Sequence, residues 1–86
     1  MQAYQIQTRY EPELRVRGRM VVVSGRKGRG RELFSVRWAG VPGRDRAYSQ
    51  CLEWVQAKHP GAVEYAWVLD ELQKRIDGRW VPEETS

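Results

Sequence analysis

Hydrophobic positions follow two regimes along the chain, a strict alternation before residue 48 and wider spacings after it. In AYQIQTRY, residues 3–10, Tyr4, Ile6, Thr8 and Tyr10 alternate with Gln5, Gln7 and Arg9. A period of two predicts a β-strand with one buried face. Glu11-Pro12-Glu13 interrupts it, since proline has no N–H to give to a sheet ladder. The alternation resumes with Leu14, Val16, Met20 and Val22 on one side and Arg15, Arg17 and Arg19 on the other. Gly18, inside this second strand, reads as a bulge. Residues 24–31, SGRKGRGR, carry three glycines and four cations without one apolar side chain, which predicts an exposed hairpin tip. ELFSVRWAG makes a third strand, with Phe34, Val36 and Trp38 inward and Ser35 and Arg37 outward. Residues 40–45 read as a turn, and 46–48 as a short edge strand.

Beyond residue 48 the spacing lengthens. Ser49 is placed to cap a helix over about 49–59 whose stripe is Cys51, Leu52 and Val55, stopped by Pro60-Gly61. Over 62–77, Tyr65, Leu69, Leu72 and Ile76 recur at intervals of four, three and four, which predicts a second helix with Gly78 just past its end. Glu64, Asp70 and Glu71 then lie on its solvent side. Trp80 folds back on the core, and 82–86 form a loose tail. The expected fold class is α+β, a single domain over 1–86. It comprises a three- to four-stranded antiparallel sheet covered on one face by two C-terminal helices.

Charge sharpens this picture. The chain has 15 Lys and Arg against 11 Asp and Glu, a formal net charge of +4. Residues 1–48 hold eleven of the cations, ten of them Arg, and only four of the acids. If the helices cover Val22, Phe34, Val36 and Trp38, alternation puts Arg15, Arg17, Arg19 and Arg37 together on the open face. Arg26, Lys27, Arg29 and Arg31 extend that face at the loop, and Arg44 and Arg46 add to it. The guanidinium fork matches phosphates and carboxylates, so these ten residues are the expected contacts for nucleic acid or a nucleoprotein, or for an acidic protein surface.

Other chemistries find few parts. The single histidine, His59, and the single cysteine, Cys51, stand about two helical turns apart, too far for a catalytic dyad. Too few N and S ligands accompany them for zinc. The glycine-rich loop leads into a strand, whereas a P-loop must open a helix. The expectation is a non-enzymatic chain with no metal, cofactor or small-molecule substrate. No apolar run approaches the ~20 residues that span a bilayer, and neither a secretory signal nor a cysteine pair is present, so the expected setting is cytoplasmic, away from membranes. Of the four tryptophans, Trp38 alternates with core residues, while Trp54 and Trp67 lie off the helical stripes and are candidate protein-interface anchors.

The strands followed by SQCLEWVQAKHPGAVEYAWVLDELQKR, read as helix, Pro-Gly break and helix, resemble over residues 20–77 a group of small phage anti-CRISPR proteins of the type I-F class. That resemblance implies a sheet-and-two-helix inhibitor that binds the CRISPR surveillance complex and blocks target DNA, and it assigns no site residue. The strand-rich half is also similar to three-strand-plus-helix DNA-binding modules of mobile-element integrases, which insert a sheet into a groove.

Overall fold

A computed structural model describes residues 2–11, 13, 17–27 and 30–83. Six strands and one helix follow in the order β1 (Ala3–Glu11), β2 (Arg17–Ser24), β3 (Glu32–Ala39), α1 (Gly40–Lys58), β4 (Val63–Val68), β5 (Glu71–Ile76) and β6 (Arg79–Pro82). They form one sheet in the order β3-β2-β1-β4-β5-β6. Every neighbouring pair is antiparallel except β1 and β4, which run parallel because α1 carries the chain back across the sheet.

The first three strands follow their alternation. Register sets Ile6 beside Val22 and Phe34, then Thr8 beside Met20 and Val36, in successive rows on one face. Ala47, Cys51 and Val55 recur every four residues along α1 and close on that face, with Tyr4, Met20 and Val22, as the core. Val21, Val22, Val23 and Val55 are almost wholly buried, each contributing about 1.5–3 kcal/mol. Gly18 is not a bulge, since β1 and β2 stay in register through Tyr10 and Gly18; the irregularity lies between Val22 and Val23 on the β3 side. What Gly18 supplies is room: a Cβ there would sit 2.7 Å from the Arg9 carbonyl oxygen and 2.9 Å from the Trp38 ring.

The two-helix expectation is overturned. The single helix begins at Gly40, so the predicted turn at 40–45, the edge strand at 46–48 and the Ser49 cap all fall inside it. Pro42 belongs to the first turn, where a missing N–H leaves no bond unmade. Residues 62–77 are mainly β4 and β5, which makes the sheet six-stranded and mixed. Leu69 and Asp70 both have positive φ, 51° and 63°, as the central residues of a two-residue hairpin turn require. Asp77 and Gly78, at 51° and 77°, turn the chain again into β6, so Gly78 ends no helix. Trp80 sits in β6 with its ring 5.6 Å from the Arg75 guanidinium carbon. Leu14, Arg15, Val16, Arg29 and the tail at 84–86 lie outside the described residues.

Candidate nucleic-acid interface

The face of β1, β2 and β3 turned away from α1 carries the arginines. Register places Arg9 opposite Arg19, and Arg19 opposite Arg37, so three guanidinium side chains stand in a row across three strands. At a strand spacing of about 4.8 Å the row spans roughly 10 Å. Arg17, two residues along β2, lies between Glu11 and Ala39 on the same face. Like charges set directly opposite on a sheet cost about 0.2–1 kcal/mol per pair, so the row opposes folding. Among the described residues, Arg9 has a partner, Glu32 at 3.2 Å, while Arg17, Arg19 and Arg37 make no ion pair. Arg9 did not figure among the residues expected from sequence.

The open face is not uniformly bare. The Arg9–Glu32 bridge joins β1 to β3 across β2 and roofs Val21, which points to this side and has no exposed surface. Beyond it the β2–β3 loop bends onto the sheet. The Gln5 amide donates to the Arg26 carbonyl, the Arg26 guanidinium lies over the Tyr65 ring at 5.3 Å, and it pairs with Glu83 at 2.7 Å. The expected continuous patch therefore divides in two, with buried Val21 and Val23 between the row and the loop. Arg26 is engaged by a carboxylate of its own chain. Lys27 and Arg31 are exposed at the loop end. Arg44 and Arg46 belong to α1 rather than to the sheet: Arg44 is 3.9 Å from Asp45, and Arg46 shares with Arg37, Trp38 and Gln50 a cleft of about 360 Å³ along the edge of β3.

The candidate anchors separate. Trp54 stacks on Phe34 with ring centroids 5.1 Å apart and meets His59 edge-on, so it is internal packing. Trp67 is a strand residue, 54% exposed on the same face as the arginine row. Cys51 is buried, which pushes its thiol up to about 11 and leaves it unreactive at neutral pH.

The helical reading of 62–77 concealed one polar cluster. Glu64 is 5% exposed on β4, where the Tyr48 hydroxyl donates to Oε2, the Arg75 guanidinium donates to that hydroxyl at 3.2 Å, and Oε1 has no partner. Burial raises the Glu64 carboxyl above its ordinary range, although Tyr48 and Arg75 pull it down. Burial, and then Glu64, raise the Tyr4 hydroxyl to about 12 and the Tyr48 hydroxyl further. A β-strand alternation over VEYAWV would have exposed this cluster. Among the described residues no three His, Cys, Asp or Glu side chains gather as a metal site, and no helix is long and apolar enough to cross a membrane.

No protein-family model matches the chain, and no significant match was found among curated proteins or solved structures.

Proposed function

We propose that this chain is a non-enzymatic nucleic-acid-binding module that grips phosphates with Arg17, Arg19 and Arg37, and with Arg9 once a phosphate displaces Glu32 from it. The observation that carries the reading is the in-register row Arg9–Arg19–Arg37 on a face that α1 leaves open. Such a row costs stability in the free protein, and a polyanion laid across it removes the repulsion. Arg46, at the edge of β3, is placed to follow a strand that leaves the row on that side. A nucleoprotein is an equally fitting target, since its nucleic acid supplies the same phosphates.

The test is a titration of labelled oligonucleotide at several salt concentrations. Displacing counterions from three or four phosphates gives log K against log salt a slope of about −2 to −4. A flat response, or no binding at ~50 mM salt, overturns the proposal. An acidic protein surface would engage the same guanidinium groups, as an inhibitor of the phage type would require; capture of a specific host protein after nuclease treatment, with no affinity for free nucleic acid, would replace the present reading with that one.

A further inference from the structure

We infer that the groove at Trp67 is a base-binding site for single-stranded nucleic acid, taking bases that bear an exocyclic amino group; this deepens the phosphate-gripping reading and rests on it. Trp67 follows Tyr65 by two residues on β4, and Tyr65 is level with Gln5 of β1, the strand that also carries Arg9. Trp67 therefore shares the open face with the arginine row, two strands over from Arg19. A groove of about 350 Å³ lies beside it, lined by Lys27, Trp67, Asp70, Glu71, Leu72 and Glu83.

Trp67, Leu72, Asp70 and Lys27 each fit one part of a nucleotide. The half-exposed indole, backed by its cross-strand neighbour Leu72, offers a flat apolar surface for stacking. Duplex bases are already stacked on one another, so only an unpaired base can use it. Glu83 is held by Arg26, and Glu71, level with Val68, faces the α1 side of the sheet, which leaves Asp70 in the turn as the carboxylate at the groove without an ion-pair partner among the described residues. Carboxylates repel phosphate and accept from amino groups, as they do with the N4 amino group of cytosine. Asp70 therefore favours a base pointed inward and a backbone held outside by Lys27 and the arginines. Adenine, cytosine and guanine carry an exocyclic amino group, whereas thymine and uracil do not.

The test uses the full chain and labelled strands of about 12 nucleotides: oligo-dA, oligo-dC, oligo-dT, an abasic phosphodiester and a duplex of equal length. Oligo-dA and oligo-dC are expected to bind about tenfold more tightly than the abasic strand, and more tightly than oligo-dT. Trp67→Ala should erase the advantage over the abasic strand, Trp67→Phe should keep most of it, and neither should alter duplex binding. Asp70→Asn should remove the preference over oligo-dT, while Glu71→Gln, on the other face of the sheet, should leave it in place. Equal binding of base-bearing and abasic strands, unmoved by Trp67→Ala, overturns the base site while leaving the arginine row standing. Failure of every strand to bind at low salt overturns the arginine row itself.

Discussion

Arg19→Gln is expected to weaken nucleic-acid binding about tenfold at ~50 mM salt while leaving the folded state as stable as before, or more stable. Arg19 is the middle member of the row, opposed by Arg9 on one side and Arg37 on the other. Removing it deletes one phosphate contact and two like-charge neighbours. Each neighbour costs about 0.2–1 kcal/mol, and for a domain of this size 1 kcal/mol moves the midpoint by about 4–8 °C. Adding Arg37→Gln should multiply the loss to about a hundredfold and lower the salt slope by about 0.7–0.9 per residue. Opposite signs for affinity and stability separate a binding surface from a structural one. A variant that melts early and binds weakly in proportion would show that Arg19 serves the fold.

Glu64→Gln is expected to change the dependence of stability on pH. The Glu64 carboxyl is raised by burial above its ordinary value of 4.5, so between that value and its raised one the folded chain holds more proton than the unfolded chain. Its contribution is therefore fully present below the ordinary value and is lost as pH rises through the raised one. Once ionised, the wild type holds a buried carboxylate with one oxygen unpartnered, an arrangement that costs roughly 1–3 kcal/mol. Glutamine keeps an acceptor for the Tyr48 hydroxyl and removes the charge. Thermal melts should show the variant gaining on the wild type as pH rises from ~4.5 to ~7.5. Parallel curves would mean that Glu64 titrates in its ordinary range.

Strands β1 to β3 were legible because alternation fixes both the element and its faces: once Phe34, Val36 and Trp38 are placed inward, Arg37 must point outward. The arginine row needed one step more, the hairpin register that sets Arg9 against Arg19. The second half misled for a physical reason. Tyr65, Leu72 and Ile76 lie at helical spacing, yet all three also fall on one face of β4 and β5, and Leu69 occupies the turn between those strands with 96% of its surface exposed. A leucine at positive φ gives no warning of a turn. Asp77-Gly78 did, because that dipeptide between two strands is a strong hairpin signal. The start of α1 was hidden by Gly40, Pro42 and Gly43, residues that serve turns as well as a first helical turn. Because the helix–Pro-Gly–helix order behind the phage-protein resemblance is not the order observed, the functional proposal rests on the sheet face alone.

The most direct test is amide chemical-shift mapping while a single-stranded oligonucleotide is added to the full chain. The account predicts that perturbations concentrate at Arg9, at 17–19 and at 35–37, strands that the register joins on the arginine face, while the middle of α1 stays still. Shifts confined to α1, with Arg9, Arg19 and Arg37 unmoved at saturation, would contradict it.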